Sequence, residues 1–161
     1  MDSTTTLAQV VTAVTAALAP ETAEGRRLLL LLVTSRRWRA SGDALAEAIG
    51  LPSRQGLNRL LAAEGWPPVA TLRTWVRLVR WVVGSERDGT TLAAWARYHG
   101  VEAGALHRLV KRQTGLSWSD VLARGSGYLI AELALVRRRR RGRATGSATG
   151  TLSETGVLSD V

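Results

Sequence analysis

Four polar side chains, Arg54, Gln55, Asn58 and Arg59, are interleaved with leucines at helical spacing, Leu57, Leu60 and Leu61. A helix that buries the leucines carries the four polar groups on its outward side. Gln and Asn amides pair with the edge of adenine and guanidinium with that of guanine, each pair contributing about 1–3 kcal/mol of discrimination. The same four groups would equally make a solvated polar face. A second stretch repeats the arrangement with poorer chemistry. His107, Arg108, Lys111 and Arg112 surround Leu106 and Leu109, and the stretch opens on Glu102 and Ala103, which offer no basic contact. Lys111 suits a phosphate, so weak specificity and backbone anchoring are expected there.

Other chemistry is thinly represented. The 161 residues contain no Cys, which excludes disulfides, thiol catalysis and Cys-ligated metals. Of the two histidines, His99 precedes a turn and reads as structural or exposed. His107 has no nucleophile or orienting carboxylate near it in sequence. No Gly-rich phosphate loop and no Gly-x-Ser-x-Gly turn occurs. Neither an enzyme nor a cofactor is expected.

Charge points to a polyanionic partner. Lys and Arg number 22 against 13 Asp and Glu, a net charge of +9. Sixteen basic and eleven acidic residues precede Arg137, so the chain stays at +5 without its Arg-rich end. Lys111 is the only Lys, a bias that GC-rich coding would also produce.

The elements that must position these groups are helical nearly throughout, with no sustained alternation of the strand type. Residues 4–18 form an amphipathic helix stopped by Pro20, and a second helix runs from about Glu21 to Trp38. Two similar blocks follow. The first opens on Ser41 as N-cap, has the small Ala46 and then Gly50, turns at Pro52-Ser53 and continues as a helix to Glu64. The second opens at Thr90 or Thr91, has Ala96 and Gly100, and continues as a helix to Gln113. A small residue lets two helices cross closely, Gly accepts the φ > 0 turn, and the leucines anchor the second helix. Between the blocks, Leu72, Trp75, Val76, Val79 and Val83 mark one apolar face of a linker helix, ended by Gly84 to Gly89. Arg73, Arg77 and Arg80 form a second stripe, either touching phosphates or keeping that face soluble. The linker is expected to span about 16 residues, roughly 24 Å. Ser117 and Asp120 stand at capping-box spacing, Gly125-Ser-Gly127 interrupts, and Tyr128 to Val136 is a last apolar stretch. Six Trp in a chain without Phe read as core.

Residues 41–124 resemble the DNA-binding domain of AraC/XylS-type transcription regulators. The likeness rests on Leu45-Ala46, Gly50, Leu57, Arg59, Leu61 and Gly65, on Thr71 to Arg80 of the linker, and on Ala96, Gly100, Leu106, Arg108, Lys111-Arg112, Thr114-Gly115-Leu116-Ser117 and Val121-Leu122. It departs in a second block one residue shorter between Gly100 and Leu106, and in Val101 and Val110 where that family has aromatics. Some forty residues of helix stand where that family carries a ligand-binding domain.

The resemblance implies an all-α fold with two helix-turn-helix subdomains on one linker helix. In this division residues 1–38 are N-terminal helices that dimerise the chain or cap the first subdomain. Residues 39–136 are the DNA-binding unit: first helix-turn-helix 41–65, linker 68–84, second helix-turn-helix 90–115 and C-terminal helices 117–136. Residues 137–161, basic and then rich in Gly, Ser and Thr, are expected to be a disordered tail. By the resemblance, Gln55, Asn58 and Arg59 hold base-reading positions, with Ala103, His107 and Arg108 their counterparts in the second block. A 24 Å linker falls short of the ~34 Å groove repeat, so the DNA bends or one unit alone inserts. Expected partners are double-stranded DNA, RNA polymerase and a second copy bound through residues 4–38. No apolar run approaches the roughly 20 residues of a membrane helix. No basic residue precedes the mildly apolar Leu7–Leu18, so a cytoplasmic location is expected. Two other functions remain open: a helical interaction module with degenerate units, and nonspecific nucleic-acid binding through the Arg run.

Overall fold

The computed structural model describes residues 3–35 and 40–148, and the described residues form helices with no strand. Helix α1 (Ser3–Leu18) stops before Pro20, with Ala19 at positive φ. Helix α2 (Ala23–Thr34) starts on Thr22, whose hydroxyl caps the Gly25 amide at 2.9 Å. Val10, Val14 and Leu18 from α1 and Leu28, Leu29, Leu32 and Val33 from α2 are buried. They pack on each other and on the helices described next, so these two helices are part of a single core. Among the described residues the exposed large hydrophobics are Leu30, on α2, and Tyr98. Residues 36–39, including Trp38, lie outside the described residues.

Two short-then-long helix pairs follow, α3 (Gly42–Ala48) with α4 (Arg54–Glu64), and α6 (Leu92–His99) with α7 (Ala103–Thr114). Between them runs α5 (Val69–Asp88), and α8 (Trp118–Ala148) closes the fold. The short helices start on Ser41 and Thr91, whose hydroxyls accept from the amides of Ala44 and Ala94. Ala46 and Ala96 are buried at the two crossings.

Helix α5 is the axle of the molecule. Leu72, Trp75, Val76, Leu78, Val79, Trp81, Val82 and Val83 are all buried, against α1, α2, α7 and α8. It is longer than the linker expected from sequence, 20 residues or about 30 Å. The reason is Gly84, which sits inside the helix rather than ending it. A Cβ there would lie 2.6 Å from Cζ2 of Trp95, so Gly84 is a notch for the α6 indole. The helix ends instead at Gly89, with φ of 66°.

Within the arginine stripe of α5, Arg77 is buried, while Arg73 and Arg80 are half-buried and each donates to a backbone carbonyl. Arg73 Nη2 donates to the Ala40 carbonyl (2.7 Å) and Arg80 Nη1 to the Val33 carbonyl (3.1 Å). Arg77 is buried, and its pKa is pushed down to about 10 by that burial and by the Arg73 and Arg80 charges. Arg73 and Arg80 tie the start of α3 and the end of α2 to the linker.

The C-terminal part differs most from expectation. Its first part keeps the interruption expected at Gly125: the backbone there is non-helical (φ 80°, ψ 175°) and separates two helices, and Glu86 accepts from the Ser126 amide and hydroxyl at 2.7 Å each. Helix α8 then continues through the Arg run to Ala148, so of the tail expected to be disordered over residues 137–161, residues 137–148 are helical. Guanidiniums hold this end in place. Arg137 reaches the carbonyls of Glu64 (3.4 Å) and Ala19 (3.1 Å), Arg140 that of Trp66 (3.3 Å), and both Arg137 and Arg141 meet Glu21. The cations thereby cap carbonyl groups at the C-terminal ends of α1 and α4. Residues 149–161 lie outside the described residues.

Candidate nucleic-acid interface

The two helix pairs share one turn geometry. In the first, Gly50 adopts φ of 85° and the amides of Gly50 and Leu51 donate to the carbonyls of Glu47 (3.0 Å) and Ala46 (2.8 Å). In the second, Gly100 adopts φ of 67° and the amides of Gly100 and Val101 donate to Arg97 (3.1 Å) and Ala96 (2.9 Å). Both are the paired bonds of a glycine-stopped helix. The second turn is one residue shorter: Ser53 caps α4 three residues after Gly50, whereas Glu102 precedes α7 two residues after Gly100.

The first pair places its polar groups as the leucine spacing implies. Ser53 Oγ accepts from the Gly56 amide (3.2 Å), and Asp43 Oδ1 accepts from the Arg54 amide (3.1 Å), locking the start of α4 onto α3. Leu57 and Leu61 are buried, while Leu60 is only half-buried, a partial departure from its expected core position. Arg54, Gln55, Asn58 and Arg59 are all exposed, together with Ala62 and Ala63 one turn further on. This face offers two guanidiniums and two amides on a rigid helix.

The second pair is weaker, and its register differs from the sequence alignment. Counting from the caps and the buried Leu57 and Leu106, Gly104 stands opposite Gln55 and the half-buried Ala103 opposite Arg54. Ala103 therefore does not take the Gln55 position. His107, Arg108, Lys111 and Arg112 are exposed, and Arg108 folds back to within 3.3 Å of the site a Gly104 Cβ would occupy. Glu102 makes no side-chain cap bond, so the start of α7 is less firmly fixed than that of α4. What α7 presents is mostly positive charge at its C-terminal half.

No family model, no characterised protein and no solved structure matches the chain.

Other sequence candidates resolve into the framework. Trp66, Trp75, Trp81 and Trp118 are buried and Trp95 is half-buried. His99 Nε2 accepts from the Trp81 indole N–H at 3.1 Å, a structural role. Among the described residues no group of three or more His, Asp or Glu is placed to hold a metal ion, and no helix is long and apolar enough to cross a membrane.

Sequence inspection does not single out Arg140 and Arg143 individually. With Arg141 they line an open groove of about 560 Å³ against Ala62, Ala63 and Gly65 at the end of α4. The signal available in the sequence is that an apolar helix, Tyr128 to Val136, runs without a breaker into the Arg run, so Arg137, Arg140 and Arg141 fall at i, i+3 and i+4 of a continuing helix and Arg143 follows Arg140 at i+3.

Proposed function

We propose that this chain is a sequence-specific DNA-binding protein, a transcription regulator of AraC/XylS-like build, in which α4 reads base edges and α7 contributes mainly phosphate contacts. One observation carries the reading: the same glycine-stopped turn, buried alanine and outward polar second helix occur twice, on either side of α5. Any one such pair is common in helical proteins. Two of them on either side of a single helix of about 30 Å are of the scale of the ~34 Å repeat of major grooves on one DNA face, which supports the reading. The positive charge outside the Arg run supplies the nonspecific attraction such binding needs. In α4, Gln55 and Asn58 suit adenine and Arg54 and Arg59 suit guanine. For a regulator, RNA polymerase is the further partner, and a cytoplasmic location follows from the role.

In vitro selection from random duplex DNA with the full chain at near-physiological salt tests this. Deleting everything after residue 136 is the wrong control, because Arg137, Arg140 and Arg141 hold helix ends together. Enrichment of one box, or of two boxes a helical turn apart, is the expected result. Salt-sensitive binding without enrichment would make the chain a nonspecific binder. Absence of duplex binding would leave a helical interaction module.

A further inference from the structure

We infer that the groove between the end of α4 and the Arg-rich part of α8 is a cradle for the DNA backbone strand that flanks the bases read by α4. The inference rests on the DNA-binding reading and adds to it a site formed by two distant parts of the chain. Three observations converge on it.

The first is charge. The groove is lined by Arg140, Arg141 and Arg143 and by no acidic residue. Glu21, outside the lining, engages Arg141 alone among these three. The C-terminal end of a helix ordinarily repels an anion. Here Arg137 and Arg140 lie on the carbonyls of Glu64 and Trp66 and offset that repulsion.

The second is continuity. Ala62 and Ala63 form the α4 side of the groove and lie one helical turn beyond Asn58 and Arg59 on the same exposed face. A duplex engaged by Asn58 and Arg59 continues directly over Ala62 and Ala63. Their small side chains leave room for a phosphate to approach the α8 arginines.

The third is the comparison of the two pairs. Aligned on Leu57 and Leu106, the α7 residues that match Ala62 and Ala63 are Lys111 and Arg112. The second unit thus carries cations on its own recognition helix at these two positions. The first unit has alanines there, and it is across this unit that α8 lays its arginines. The missing cations are supplied from another helix.

The occupant is therefore a phosphodiester strand of duplex DNA. A free phosphorylated solute shares the anionic group but has no reason to require the neighbouring base-reading face.

The test measures duplex binding by the full chain, using fluorescence anisotropy over a salt series on the selected box and on a scrambled duplex. Arg143→Gln and the double variant Arg140→Gln/Arg143→Gln are compared with Arg87→Gln, an exposed cation at the far end of α5. The slope of log K against log salt should fall in magnitude by about 0.9 for each phosphate contact removed. Affinity should fall equally on both duplexes, so the preference for the box is kept. The single variant guards against misfolding, because Arg140 also binds the Trp66 carbonyl and Arg143 is exposed.

Slopes no different from that of Arg87→Gln, with box binding intact, would overturn the cradle and leave the DNA-binding reading standing. Saturable binding of inorganic pyrophosphate that both variants abolish, without a change in DNA slope, would also overturn it and assign the groove to a small phosphorylated solute. Failure of the unmodified chain to bind any duplex would overturn the DNA-binding reading itself, and the cradle with it.

Discussion

Glu64, the last residue of α4, accepts hydrogen bonds from both the backbone amide (2.9 Å) and the hydroxyl (2.5 Å) of Thr22, 42 residues earlier in the chain. Its second oxygen accepts from the Glu21 amide at 2.8 Å. A carboxylate from the first helix pair therefore fills the role of N-terminal anion for α2. Gly25 makes the approach possible, since a Cβ there would stand 2.6 Å from Glu64 Oε1.

That latch makes stability depend on acid. Burial alone would raise the Glu64 pKa, but the Thr22 hydroxyl, the Glu21 and Thr22 amides and the Arg137 charge together leave it below the ordinary carboxylate value. A folded-state pKa lower than the unfolded one gives stability that is present above the unfolded value, near 4.3, and is lost as pH falls through the folded value. Glu64→Gln should cost about 2 kcal/mol at pH 7, the scale for leaving buried donors without a charged acceptor. Urea unfolding at pH 7 and below pH 4 checks this. The gap between the two proteins should narrow in acid, and an equal gap at both pH values would contradict the assignment.

The features of the sequence that are local carry over well into the structure. Ser41, Thr91, Ser53 and the Ser117–Asp120 box all cap helices as their types suggest, because a cap needs only residues within a turn of it. The outward placement of Arg54, Gln55, Asn58 and Arg59 likewise follows from leucine spacing alone. What the sequence hides is contact over distance. Gly84 has the look of a stop, and only the indole of Trp95 reveals it as a notch. Arg73 and Arg80 have the look of a soluble stripe until their carbonyl partners at Ala40 and Val33 are known. The Arg137–Arg141 run resembles low-complexity tail, yet its helical spacing matches carbonyls more than 70 residues away.

Base reading should be lopsided between the two units. Arg59→Ala, Asn58→Ala and Gln55→Ala should each relax one position of the selected box by about 1–3 kcal/mol, measured as the affinity ratio between the box and single-base variants. Lys111→Ala should instead weaken all duplexes alike and reduce the salt slope by about 1. His107→Ala should alter base preference little, because Gly104 and Ala103 beside it offer no second contact to fix a base. Equal loss of specificity from His107→Ala and Asn58→Ala would contradict the register assigned to α7.

The notch at Gly84 predicts an overpacking penalty. Gly84→Ala improves helix propensity by about 1 kcal/mol. It also pushes a methyl against Trp95 Cζ2, where a buried clash costs about 1–3 kcal/mol. Net destabilisation in thermal unfolding is expected, and Trp95→Leu in the same chain should restore part of it. A rise in Tm for Gly84→Ala alone would mean that α6 moves away freely.

The two turns offer a comparison of like with like. Gly50 and Gly100 both lie at positive φ, at 85° and 67°. A Cβ at Gly100 would meet nothing within 4 Å, and one at Gly50 only Arg27 Nη1 at 3.8 Å. Steric crowding is thus absent at both, and the cost of Gly→Ala is the left-handed backbone itself, about 1–2 kcal/mol. Near-equal destabilisation by Gly50→Ala and Gly100→Ala in urea titrations is expected. If the two turns also set the angle of their recognition helices, each variant should weaken DNA binding through its own unit only. Gly50→Ala would then blur the base preference of the α4 box, while Gly100→Ala would lower affinity and leave that preference unchanged. A blurred box from Gly100→Ala would show that α7 reads bases after all.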